Sequence, residues 1–167
     1  GRVIEELKAL GKPFLILLNS AHPQGEAAQK LRAKLAEQYD VTCLAVSCLD
    51  LDQQAVTEII QAVLYEFPLE ELQLFLPDWV ETLPTEHPIR TALFQAIRAQ
   101  AGKLVRIRDV KPAVAAMGQC ELVTGAAVTG MKLGSGCCQA RLELPRSLFY
   151  DTLSQQTGFA LHSDGEL

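Results

Sequence analysis

The chain has 167 residues, 49% of them hydrophobic, with 15 basic and 20 acidic side chains and a formal net charge of -5. That apolar content is enough to build a core, which excludes global disorder, and the acidic balance argues against nucleic-acid phosphates as the main ligand. No apolar run reaches the ~18 residues that a membrane helix needs, and Gly1 to Leu10 is amphipathic rather than a signal peptide, so a cytosolic protein is expected.

In chain order, Val3, Ile4, Leu7 and Leu10 recur at helical spacing and Gly11 follows them, which predicts an opening helix. The run Pro13 to Asn19 is continuously apolar and predicts a strand covered on both faces, as in parallel sheets. Gln24 to Tyr39 is again helical, with Leu31 and Leu35 four apart, and Val41 to Ser47 is a second buried strand. Asp50 or Asp52 then caps a third helix whose apolar face is Val56, Ile59, Ile60, Val63 and Leu64. Such alternation belongs to a parallel α/β sheet. Two strands make a poor one, because Phe14 to Leu18 is left with a row of unpaired backbone groups, so residues 1–67 are expected to be the C-terminal part of a larger doubly wound domain.

A composition change marks Glu66 to Pro84, where Pro68, Pro77 and Pro84 punctuate short apolar pieces, and the domain boundary is placed there. Residues 68–167 are expected to form a small α+β module. A helix opens near Pro88, with His87 at its start and Ile89, Leu93, Phe94, Ile97 and Leu104 on one face. Arg98, Lys103, Arg106, Arg108 and Lys111 crowd its far end; they read as a solvated helix end, or alternatively as a surface for an acidic neighbouring subunit. Asp109 to Met117 predicts another short helix. Glu121 to Lys132 and Cys138 to Leu144 predict strands joined by a turn at Gly134, Ser135 and Gly136, with Ala140, Leu142 and Leu144 facing inward. Pro145 to Thr157 predicts a closing helix burying Leu148, Phe149 and Leu153, ended by Gly158, and Phe159 to Leu167 a short strand or tail.

Open α/β sheets bind ligands at the carboxyl ends of their strands, so the loops Leu17 to Pro23 and Val46 to Leu51 are the candidate site. Asn19, Ser20 and Ser47 are the residues there that suit contacts to a nucleotide base; equally, they suit turns and helix caps. No other constellation competes. Cys43, Cys48, Cys120, Cys137 and Cys138 are an odd set without a CxxC pair, so reduced thiols are expected and neither a zinc site nor a disulfide framework is. Cys137 and Cys138 should point to opposite faces of a strand. His22, His87 and His162 share no metal-ligand spacing, and no GxSxG elbow supports a hydrolase triad.

The phrase ILLNS followed by VSCLDL resembles the base-recognition end of the translation-factor-related nucleotide hydrolases, with Asn19 matching the Asn of an NKxD loop. Ser20 replaces its Lys and His22 its Asp, so guanine specificity is not expected. More broadly, RVIEELKALGKPFLILLNSAHP, EFPLEELQLFLPDWVETL, VRIRDV and ARLELPRSLFYDTLSQQTG together resemble the stage IV sporulation protein A family over nearly the whole chain. That resemblance implies the end of a P-loop NTPase-like parallel sheet, with helices on both faces, followed by an α+β middle domain. It implies an ATPase that uses ATP and Mg and self-associates into a polymer. That polymer would lie on the forespore's outer surface, in the mother-cell cytoplasm, as the base for other spore coat proteins. It further implies a tie to the forespore membrane through a small amphipathic sporulation peptide that contacts a region outside this chain. No GxxxxGK[ST] occurs here, and Gly130 to Gly136 places Lys132 wrongly in a hairpin, so this chain by itself is expected neither to hydrolyse ATP nor to bind it tightly. The rival reading is a structural or interaction module that never binds nucleotide. An independent small-molecule-binding α/β domain would require the strand Phe14 to Leu18 to be paired within the chain.

Overall fold

A computed structural model describes residues 2–157, and the expectations for Gly158 to Leu167 lie outside the described residues. The chain divides into two compact units. One comprises residues up to 68 together with 106–108 and 133–136; the other comprises 69–105, 109–132 and the residues from 137 onward.

In the first unit, helix α1 (Arg2–Ala9) is followed by Gly11 at φ +65°, the left-handed conformation that glycine adopts without a Cβ penalty. Strand β1 (Ile16–Asn19) runs parallel to β2 (Cys43–Val46), with Ile16 opposite Cys43 and Asn19 opposite Val46. The ladder is prolonged at each end, by Ile16 N–H to the Thr42 carbonyl and by Ser20 N–H to the Val46 carbonyl, both 2.9 Å. Helix α2 (Glu26–Tyr39) joins the strands and packs on β2. It stops at Asp40, whose backbone is left-handed at φ 47° while its N–H reaches the Ala36 carbonyl. Helix α3 (Gln53–Tyr65) starts where Asp52 Oδ1 accepts the Ala55 N–H at 2.7 Å, which fixes the cap on the second of the two aspartates the sequence offered.

This unit buries little. Helices α1, α2 and α3 contribute no fully buried residue, and among residues 2–68 only Val41, Cys43 and Glu66 are buried. The expectation that Pro13 to Asn19 is covered on both faces is not met within the described residues: β1 alternates half-buried and exposed, and Leu17 is 46% exposed. The α3 residues Val56 and Ile60 remain 43% and 55% exposed. A two-stranded sheet offers too little area to cover three helices, so apolar side chains are left over.

The second unit has a proper core. Strand β3 (Glu71–Phe75) and helix α4 (Asp78–Thr82) come from the proline-punctuated stretch that the sequence assigned only to a boundary. Helices α5 (Pro88–Ala101) and α6 (Val110–Met117) follow, then β4 (Gly125–Lys132), β5 (Cys137–Glu143) and α7 (Arg146–Thr157). The sheet order is β3-β5-β4, with β3 parallel to β5 and β4 antiparallel to it, the register shifting between Val128 and Gly130. Val80, Leu93, Met117, Leu142 and Leu144 form the buried cluster, with Leu74, Trp79, Phe94 and Leu148 packed around it. Ala140 and Leu142 point inward at 0% and 1% exposure while Arg141 and Glu143 are exposed, as the alternation in β5 requires. Helix α6 lies so close to β4 that a Cβ on Gly118 would meet the Ala126 Cβ at 2.7 Å. In α7 the fully buried side chains described are Tyr150 and Thr152, whereas Leu148, Phe149 and Leu153 are half-buried.

Candidate functional site

The carboxyl ends of β1 and β2 lie side by side because the strands are parallel and in register, so the loops that follow them share one end of the sheet. Asn19 bridges the two loops: its Oδ1 accepts the backbone N–H of Cys48 at 3.1 Å. Its Nδ2 has no partner among the described residues, and the side chain is exposed. Ser20 Oγ accepts the His22 N–H at 3.2 Å, and the His22 carbonyl accepts the Gly25 N–H at 2.9 Å, which turns the chain into α2. Ser47 Oγ donates to Asp50 Oδ2 at 2.8 Å, while the Asp50 N–H reaches the Ser47 carbonyl at 3.2 Å. Next to these groups Leu49 is 94% exposed and Cys48 is exposed.

Thus Asn19, Ser20 and Ser47 are brought to one end of the sheet, and each already makes a local hydrogen bond. What remains available is an amide donor on Asn19, an exposed carboxylate on Asp50 and an apolar side chain on Leu49. That set can hold a flat, partly polar ring; it contains no lysine or glycine cradle for phosphates. Among the described residues no group of three or more His, Cys, Asp or Glu side chains is placed to hold a metal ion. The buried thiols Cys43 and Cys138 are raised above the ordinary cysteine range, chiefly by burial, which keeps them protonated and unreactive.

A second polar cluster was not legible as such in the sequence. Glu66, at the C-terminus of α3, has a side chain only 2% exposed and is gripped by two arginines: Arg106 Nη1 lies 3.0 Å from its Oε2 and Arg108 Nη1 3.2 Å from its Oε1. Thr42 Oγ1, just before β2, donates to the same carboxylate. Arg108 Nη2 also reaches Asp40 Oδ1 at 2.9 Å and the Asp40 carbonyl at 3.0 Å. The backbone follows suit, with Ile107 N–H donating to the Phe67 carbonyl at 3.0 Å and an antiparallel bridge between Pro68 and Arg106. The expected solvated helix end, or surface for an acidic neighbour, is therefore corrected for these two residues. Helix α5 stops at Ala101, and Arg106 and Arg108 serve an internal carboxylate instead. A burial signal was absent because the pairing spans 40 and 42 residues of chain.

A parallel α/β segment with a polar loop pair at its carboxyl end, followed in the chain by a mixed-sheet α+β unit, defines a two-unit α/β protein. The profile of the stage IV sporulation protein A middle domain matches residues 69–167, and the profile of the ATPase domain of the same protein matches residues 1–68. The chain belongs to the stage IV sporulation protein A family. It is 33% identical over 166 residues to stage IV sporulation protein A of Clostridioides difficile (strain 630), 32% to that of Bacillus subtilis (strain 168) and 31% to that of Bacillus anthracis, covering 99% of this chain each time. The match spans 34% of the length of each of these relatives. No solved structure matches the chain. No helix among the described residues is long and apolar enough to cross a membrane.

Proposed function

We propose that residues 1–67 complete the base-binding side of a P-loop NTPase-like ATPase domain and that residues 68–167 are the middle module of a morphogenetic protein. In this reading the whole protein hydrolyses ATP and self-associates into a polymer on the forespore's outer surface, where other coat proteins assemble. Its attachment to the forespore membrane runs through a small amphipathic peptide that binds outside this chain. The observation that carries the reading is the Asn19–Cys48 bond, which joins two adjacent strand ends where α/β sheets hold ligands and leaves the Asn19 amide N–H groups available to an acceptor such as a purine ring nitrogen. Adenine suits the loop better than guanine. His22 stands where a guanine-reading carboxylate would be needed, and it offers no pair of acceptors for the guanine N1 and N2 donors.

ATP and Mg fit this chain at the base end only. Asn19, Ser20 and Ser47 would border the adenine, Leu49 would supply apolar contact, and the phosphates with their magnesium would be held by residues elsewhere in the longer protein. When bound there, the metal neutralises charge on the transferred phosphoryl group. Phosphate release is the test: the full-length gene product should turn over ATP while this chain alone does not, and Asn19→Ala in the full-length protein should weaken ATP binding. Sustained turnover by this chain, or unchanged ATP affinity in the variant, would overturn the assignment.

One observation favours a second reading, a non-catalytic interaction module: Asn19, Ser20 and Ser47 all make hydrogen bonds that shape their own loops. On that reading the same substitution loosens the loop and changes no nucleotide affinity.

A further inference from the structure

We propose that Arg106 and Arg108 are positioning residues for the base-side loop Ser47–Leu51, contributed to the first unit by a part of the chain that the middle-domain profile covers. This rests on the base-binding reading of Asn19 and Ser47 given above. The family profiles divide the chain between residues 68 and 69, yet residues 106–108 belong to the first compact unit. Sequence similarity and physical unit therefore disagree at residues 106–108, as they do at 133–136, and two of the residues 106–108 are arginines on one buried carboxylate.

The geometry shows why those arginines bear on the loop. Strand β2 is four residues long, with Thr42 just before it and Ser47 just after, and α3 runs from the same loop back to Glu66. Thr42 and Glu66 are the two far ends of the β2–loop–α3 hairpin, and the Thr42 hydroxyl donates to the Glu66 carboxylate. The hairpin is closed into a ring at the end opposite the candidate site. Among the described residues strand β2 pairs with β1 alone, so this closure is a second lateral restraint on it. Without the arginines, a carboxylate with 2% side-chain exposure would have to turn toward water, drawing Thr42 and the end of α3 with it. A four-residue strand is too short and stiff to absorb that movement, and Ser47 sits about 17 Å away at its other end, at roughly 3.3 Å per residue. Arg108 adds a third tie, to Asp40 at the end of α2, so the clasp also holds the element that follows the Asn19 loop.

The test is made on the full-length protein with ATP and GTP as probes, measuring both dissociation constants for the wild type, for Arg106→Gln combined with Arg108→Gln, and for the milder Thr42→Val. Circular dichroism establishes that each variant is folded at the temperature used. A positioning role predicts ATP binding weakened on the order of three- to tenfold, with the ATP-over-GTP preference reduced. Thr42→Val, which keeps the ion pairs, should show the smaller shift in the same direction. A folded variant whose ATP affinity and ATP-over-GTP preference both equal the wild type would overturn the role and leave the arginines with a stabilising one only. Asn19→Ala separates base binding from loop positioning. If it shifts affinity and preference while the clasp variants do not, base binding stands and positioning falls; if Asn19→Ala changes neither, both fall together.

Discussion

Asn19 Oδ1 accepts the backbone N–H of Cys48 across 3.1 Å, so the end of β1 holds the first turn after β2 although 29 residues of chain separate them. The bond spans the two loops where an α/β sheet binds its ligand, and it defines what a single substitution should do. Asn19→Ala leaves the Cys48 N–H to water and should cost about 0.5–1.5 kcal/mol, read as a fall in the urea midpoint of the first unit. Asn19→Asp keeps the acceptor and removes the amide donor. It should preserve the midpoint but weaken ATP binding in the full-length protein, so that equal affinity for Asn19→Asp and wild type would show that the donor contacts no base.

Glu66 and its arginines should respond unequally to removal. Glu66 has a side chain 2% exposed, whereas Arg106 and Arg108 are 31% and 24% exposed and can turn to solvent. Replacing both arginines by alanine leaves a buried carboxylate unpaired and should cost about 3–5 kcal/mol. Glu66→Gln keeps the shape and an acceptor for Thr42, and it should cost less. Urea denaturation of the three proteins checks the order, and a Glu66→Gln variant less stable than the double arginine variant would reverse it.

The two units should also differ in how they tolerate change at apolar positions. Leu142 is 1% exposed in the second unit's core, and Leu142→Ala should destabilise that unit by about 2–5 kcal/mol. Ile60 is 55% exposed on α3, so Ile60→Asp should shift the stability of this chain by no more than about 0.5 kcal/mol. In the full-length protein the same Ile60→Asp should lower the melting temperature and ATP binding, because the proposed remainder of the ATPase domain would cover that face. A full-length variant indistinguishable from wild type would place Ile60 on a true surface.

Thiol chemistry separates the cysteines. Cys48 is exposed and should react first with iodoacetamide in the native protein, while Cys43 and Cys138, at 3% and 1% exposure, should react only after denaturant is added. Burial raises the pKa of both buried thiols; an opposing pull from Arg32 on Cys43 and an added push from Cys137 on Cys138 are the smaller effects. A thiol raised in the folded state contributes its full stability below the unfolded cysteine pKa, about 8.5, and loses it as pH climbs through the folded value. The urea midpoint should therefore fall as the pH rises above the unfolded cysteine value, and Cys138→Ala should flatten the slope for the second unit even though it lowers the midpoint itself.

The elements written in local pattern were legible from the residues alone. Helical spacing placed α1 to α3, an aspartate at 50 or 52 announced the start of α3, and His87, whose Nδ1 accepts the Ile89 N–H at 3.3 Å, announced α5. The alternation of Ala140 and Leu142 with Arg141 and Glu143 gave β5 its inward face, and two buried-type strands with too few partners anticipated the two-stranded parallel sheet, though not the exposed apolar side chains it leaves. Each is a property of neighbours within a turn or a strand. Strand β3 escaped because five residues between prolines carry too little pattern, and it is the parallel ladder with β5, Glu71 opposite Cys137 through Phe75 opposite Arg141, that makes them a strand. Arg106 and Arg108 escaped for the same reason. Their charges are visible in the sequence, but burying a carboxylate requires partners that only the folded chain brings from 40 and 42 residues away. Local periodicity thus fixed where helices and strands form, and tertiary structure decided which of their polar groups are buried, because desolvation depends on what covers a group rather than on what precedes it.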